Sequence, residues 1–161
     1  MFKRLLAVIL CFVSCDTLGS ETEIECLAKN IYFEARGENA MGQFAVAFVT
    51  LNRVKDNKFP NSICEVVYQA RMKPSWRDPK KLIPKRHKCQ FSWYCDGKAD
   101  EIEDWPAYER AITVARVAIL GIVPDLTEGS LYYHNNKVDP YWNSSMLHVT
   151  TIDNHLFYKV Q

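Results

Sequence analysis

Glu34 is the side chain in this sequence best placed for acid–base chemistry. In the stretch IECLAKNIYFEARGE at residues 24–38, Ile24, Leu27, Ala28, Ile31, Tyr32 and Ala35 recur at helical spacing as one apolar stripe. Glu34 follows Leu27 by seven residues and Ile31 by three, so it projects from that stripe. A carboxyl group there loses solvation, its ionised form is disfavoured and its pKa rises, which suits a general acid near neutral pH. The alternative is a glutamate at the stripe's edge, reaching water or pairing with Arg36. Glu38 comes one turn later on the same expected helix, too close in sequence to straddle a sugar with Glu34. Its expected role is supporting: a hydrogen bond that holds the following loop.

Two other sets of residues could carry chemistry. His134, His148 and His155 lie in strand-like segments, where they pack and hydrogen-bond or, as a rival reading, hold a zinc ion for an amidase or peptidase. Cys26, Cys64, Cys89 and Cys95 form an even set with no CxxC pair, which favours two disulfides over a zinc site or a thiol nucleophile. Three pairings are open. Cys89–Cys95 as a local clip and Cys26–Cys64 as a tie between helices are favoured. The chain has no HExxH motif, no glycine-rich phosphate loop and no GxSxG elbow. No metal and no cofactor are expected.

The elements that must position these residues follow from the pattern. Residues 1–20 read as an export signal, with Lys3 and Arg4 before an apolar run at residues 5–13. The run FVSC at residues 12–15 loosely resembles a lipoprotein cleavage site, which would put a lipid on Cys15. Residues 21–161 then form one domain. A second helix over residues 41–54 is apolar on almost every side and reads as the core spine behind Glu34, with Asn52 and Arg53 at its polar end either meeting the helix dipole or supporting the site. Ser62 and Glu65 form a capping box for a short helix. Asp104, Pro106 and Gly121 bound another over residues 105–120. Residues 130–134, 147–152 and 155–160 are strand-like, the last two joined by an Asp153-Asn154 turn. The expected architecture is α+β, mainly helical, with a small C-terminal sheet.

The charge is nearly balanced overall, at +1 over 161 residues. Without residues 1–20, which hold Lys3, Arg4 and Asp16, 18 basic and 18 acidic residues remain. Residues 71–88 hold eight Lys/Arg against one Asp, net +7. With Pro74, Pro79 and Pro84 among them they read as a surface loop, either solvated or in contact with an acidic polymer. Nucleic acid is not an expected partner, and a monomer is expected.

The run IYFEARGENAMGQFAVAFVTLNRV resembles the bacterial cell-wall hydrolases of the spore cortex-lytic enzyme family, with its EARGE-type helix, GQ-x-AVA helix and asparagine–arginine pair in that order. The likeness continues through FPNSICEVVY, CQFSWYCDG, YYHN with DPYW, and TIDNHLFY, covering nearly all of residues 24–160. It implies a lysozyme-like fold, with Glu34 as the catalytic acid. The implied activity is cleavage of the β-1,4 bond between N-acetylmuramic acid and N-acetylglucosamine in peptidoglycan, as a lytic transglycosylase or muramidase. Gln90, Phe91, Tyr133, His134 and His155 are implied as lining for the glycan groove. The export signal and the even cysteine set make the envelope or exterior the expected compartment, and the resemblance leaves open a bacterial envelope enzyme or a phage lysis enzyme. Residues 71–88 depart from the family pattern as an insertion, and no separate wall-binding repeat is seen in the chain. Membrane contact is expected only through the lipid on Cys15. A wall-binding protein without activity is the non-enzymatic rival.

Overall fold

The computed structural model describes residues 21–161, and the expected export signal, with the Cys15 that a lipoprotein signal would modify, lies outside them. Four helices come first: α1 (Glu23–Ala35), α2 (Ala40–Lys55), α3 (Ile63–Val67) and, after a hairpin, α4 (Trp105–Ile119). Each starts where a side chain takes up the orphan N–H groups of its first turn. Thr22 and Glu25 make a full capping box on α1, a pair that was not singled out in the sequence. Asn39 caps α2, Ser62 caps α3 and Asp104 caps α4 with Pro106 in the first turn. No helix among the described residues is long and apolar enough to cross a membrane.

The main core lies where α1, α2 and α4 meet, around Leu27, Ile31, Tyr32, Phe48, Ala111 and Ala115. The other side of α2 presents Ala45 and Val49 to Phe157 of the C-terminal sheet, so this helix is buried on two faces as its composition implied. That sheet has three antiparallel strands in the order β3-β5-β4 among β3 (Tyr132–Asn135), β4 (Met146–Ile152) and β5 (His155–Val160). The β4–β5 turn docks on the start of α2. Gly42 is required there, because a Cβ would lie 2.4 Å from the Asp153 carboxylate.

The basic segment is a correction to the sequence reading. Residues 71–88, expected as a loop, form most of a two-stranded ribbon of β1 (Ala70–Pro74) and β2 (Leu82–Cys89). Three prolines argued against strands, but each strand of a two-stranded ribbon keeps one free edge, where a residue without an N–H leaves no ladder bond broken. The disulfides pair as favoured. Cys26–Cys64 ties α1 to α3, and Cys89–Cys95 closes the loop after β2, which holds a short 3-10 turn at Ser92–Cys95.

Asn30 joins three parts of this frame. Its side chain, fully buried, donates to Thr50 Oγ1 of α2 at 3.1 Å and accepts from Trp93 Nε1 at 2.9 Å. Asn30→Leu keeps the branched shape but strands the indole N–H in the core. It is expected to lower unfolding stability by about 2–4 kcal/mol in urea titration.

Candidate active site

Glu34 stands in the last turn of α1, half-buried, on the side facing α2 and the sheet. Tyr133 of β3, ninety-nine residues away, donates its hydroxyl to Glu34 Oε2 at 3.1 Å. Burial holds the Glu34 pKa above its ordinary value of 4.5, while the Tyr133 hydroxyl, the Arg53 charge and the Ser92 backbone amide oppose that shift. The negative end of the α1 dipole also disfavours a charge there. The groups that oppose the shift are thus a phenol, a guanidinium and an amide. Arg36 does not pair with it. Its guanidinium donates to the Tyr32 hydroxyl at 3.0 Å.

Tyr133 is held as a proton donor. Burial, and then the neighbouring Glu34 charge, push its pKa well above the usual phenol value. Its ring rests edge-on against His155, with centroids 5.2 Å apart, and beside Phe157 at 5.7 Å. Arg53, only 4% exposed, is caged by Phe91, Phe59 and Tyr132, its guanidinium carbon 4.9, 5.3 and 5.9 Å from their ring centres. Its Nε donates to the Leu131 carbonyl at 2.8 Å, and its Nη1 is buried with no protein partner. Arg53, Gln90, Tyr132, Tyr133, Trp142 and Met146 line a cleft of about 450 Å³. Arg53 belongs to the site more directly than Asn52 beside it, and its signal in the sequence was a charge at the end of an otherwise apolar helix.

The remaining expected residues divide between the cleft and its supports. Gln90 is exposed at the cleft, as expected of a lining residue. Phe91, expected in the lining, is instead 2% exposed beneath Arg53 and can reach a ligand only through it. His134 and His155 are corrected in the same way, being buried at 9% and 4% exposure. His134 bonds the Tyr158 hydroxyl through Nε2 at 2.9 Å and stacks on that ring, so its role is to order the sheet under Trp142. Burial lowers the His155 pKa, and its ring braces Tyr133. His148 contacts Thr151 on the exposed side, so the three histidines do not converge as one ligand set. Among the described residues no group of three or more His, Cys, Asp or Glu is arranged to hold a metal.

Glu38 and Asn52 are both structural ties. Helix α1 stops at Ala35, so Glu38 sits in the turn before α2 rather than on one helix face with Glu34. Its carboxylate accepts from the Asn154 side chain at 3.1 and 3.2 Å and from the Asn154 backbone at 3.3 Å. Asn52 donates to Asp125 at 2.8 Å and to the Ser130 carbonyl at 3.3 Å. Burial would raise the Asp125 carboxyl, but bonds from Thr127, Asn52 and the backbone outweigh it and hold that pKa below the usual range. The knot fixes residues 125–131, the segment that leads directly into Tyr132 and Tyr133.

The cell wall hydrolase family profile matches residues 37–158, most of the chain. The chain belongs to that family. The match begins three residues past Glu34, but longer alignments extend the likeness. The spore cortex-lytic enzyme of Bacillus cereus is 29% identical over 143 residues, 87% of this chain and 45% of its own length. That of Bacillus subtilis is 29% identical over 141 residues, 86% of this chain and 38% of its own length. The chain therefore spans less than half of these curated relatives. Among solved structures, the catalytic domain of the germination-specific lytic transglycosylase SleB from Bacillus anthracis is similar with a TM-score of 0.63 and 29% identity, covering 88% of this chain and 97% of that one. The Bacillus cereus SleB catalytic domain gives a TM-score of 0.60 at 26% identity, covering 89% and 94%. The α+β, lysozyme-like architecture implied by the resemblance is the one observed.

The raised pKa of Glu34 has a consequence for stability. Folded protein holds this proton more tightly than unfolded chain, so stability falls as pH rises from 4.5 through the folded-state pKa, and the full penalty persists above it. Glu34→Gln removes the penalty while leaving an acceptor for Tyr133. The variant is expected to melt higher than the unsubstituted chain at pH 7–8, with the gain vanishing below about pH 4.5, in thermal scans across that range.

Proposed function

We propose that this chain cleaves the β-1,4 bond between N-acetylmuramic acid and N-acetylglucosamine in peptidoglycan as a lytic transglycosylase, with Glu34 as both acid and base. The observation that carries the reading is a half-buried carboxyl, raised in pKa by burial, that accepts a hydrogen bond from the Tyr133 phenol. Inverting and retaining hydrolysis by paired carboxylates both need a second acid across the scissile bond. Transglycosylation needs one. Neutral Glu34 gives its proton to the glycosidic oxygen as the C1–O4 bond breaks and N-acetylglucosamine departs. The resulting Glu34 carboxylate then takes the proton of the muramic acid 6-hydroxyl as that oxygen closes on C1. The products are a free N-acetylglucosamine 4-hydroxyl and a 1,6-anhydro ring, and no water is consumed.

The protein's part is to hold the carboxyl neutral without losing it as a base. Burial supplies the first requirement. The Tyr133 hydroxyl and the Arg53 charge supply the second, because both stabilise the carboxylate left after protonation. A similar catalytic domain named as that of a lytic transglycosylase, and the family match across most of the chain, support the assignment. The same reading places the protein outside the cytoplasm, against the wall. Disulfides within the domain fit that oxidising compartment.

Glu34→Gln is expected to abolish muropeptide release from purified sacculi while the protein stays folded by circular dichroism. Products of the unsubstituted chain should be lighter by one water than those of a muramidase, as read by mass spectrometry; hydrated ends, or wild-type release by the variant, would falsify the mechanism. Activity that disappears on treatment with EDTA would favour the zinc-dependent rival. Tyr133→Phe withdraws a bond that favours the carboxylate, so the pKa of Glu34 should climb further. The limb of the pH–rate profile that declines with rising pH should then move to higher pH, with a lower maximum rate because the base form loses its donor.

A further inference from the structure

The ribbon β1–β2 departs from regular pairing at its base. Ala70 pairs with Cys89 and Met72 with Pro84, so Arg71 alone stands opposite Lys85, Arg86, His87 and Lys88. Such a bulge re-aims side chains and ends the ladder, and bulges gather beside functional sites. His87 has a φ of 57°, a left-handed conformation that a non-glycine residue adopts at some cost. Arg86 anchors the bulge by donating to the Asp96 carbonyl at 3.1 Å, which fastens it to the Cys89–Cys95 loop. The other cations remain exposed. Among the described residues, neither ion pair involves the ribbon, so like charges crowd there without carboxylate partners.

This basic bulge lies beside the cleft that Arg53 and Tyr133, the donor to Glu34, help to line. Gln69, Arg71, His87, Lys88, Gln90 and Trp142 line a cleft of about 630 Å³, and Gln90 and Trp142 also line the cleft beside Arg53 and Tyr133. The two spaces adjoin at those shared residues. A polymer lying across Glu34 would therefore present its substituents to Arg71 and Lys88.

We infer that this second cleft is a subsite for the carboxylate-bearing peptides carried by the muramic acids of peptidoglycan, with Arg71 and Lys88 as the charged contacts. The inference rests on the glycan-cleaving function proposed above and adds a preference within it: peptide-substituted stretches over bare glycan. The cations that line it stand at the base of the ribbon, next to the cleft. Trp76, the 83% exposed residue that a lipid surface would engage, stands instead at the tip.

The test measures binding and cleavage separately. Binding of the Glu34→Gln chain is compared for soluble peptide-bearing strands and for the same strands stripped of peptides by an amidase. At low salt the peptide-bearing strands should bind about tenfold more tightly, an advantage that shrinks at about 0.5 M salt. Adding Arg71→Glu and Lys88→Glu should erase the difference, with the loss falling mainly on peptide-bearing strands, since stripped strands keep only the lactyl carboxylate of each muramic acid. Equal affinity for both strands, or a preference that survives the double substitution, overturns the subsite. Capture by phosphatidylglycerol vesicles that the double substitution abolishes, without a strand preference, also overturns it and assigns the cations to a membrane. Cleavage by the unsubstituted chain distinguishes the two proposals. A strand preference without muropeptide release upholds the subsite and refutes Glu34 chemistry; release without any preference refutes the subsite alone.

Discussion

The site depends on one contact between distant parts of the chain, the Tyr133 hydroxyl on the Glu34 carboxyl. A carboxyl group moved out of water without a donor would keep its proton too tightly to return as a base. One left in water would give that proton up too early. For Glu34, burial pushes the pKa up as the largest influence, while a phenol, a guanidinium and an amide push the other way. The balance needs α1 and β3 held in register to within a hydrogen bond.

Much of the remaining polar structure serves that register. Asn52 gathers residues 125–130 through the Asp125 carboxylate and the Ser130 carbonyl, while Arg53 takes the next carbonyl, that of Leu131. Two neighbouring residues at the end of α2 thus fix the approach to β3. Glu38 and Asn39 grip the Asp153-Asn154 turn from the other side, setting the far end of the sheet against the start of α2. Phe91 and His155 are buried supports for the two residues that touch the carboxyl's surroundings, Arg53 and Tyr133. Polar groups so placed are costly to remove singly, since each loss strands a partner away from water.

The basic ribbon obeys a different constraint. It packs little of its surface into the core, and most of its residues are exposed. Its stability comes from the ladder and from anchoring at Cys89 and Arg86, which leaves its charges available to an outside partner. A chain near neutrality overall can therefore present a concentrated positive field at one end of its cleft.

The elements were legible in the sequence wherever a local rule governed them. Helical periodicity placed Glu34 on a buried stripe, capping residues marked the starts of α3 and α4, and the Asp153-Asn154 turn joined β4 to β5. The family motifs named the carboxyl. Tertiary structure alone decided which partners surround it: that Tyr133 donates to it, that Arg53 sits in a cage of rings, and that Phe91, His134 and His155 stand behind the cleft instead of lining it. It also decided that proline-rich residues 71–88 pair as a ribbon, since a free edge for Pro84 exists only once a second strand is in place. Periodicity and caps act over one or two turns and are written in neighbouring residues. Burial, donor geometry and pKa arise between groups up to ninety-nine residues apart, and have no value until the chain has closed on itself.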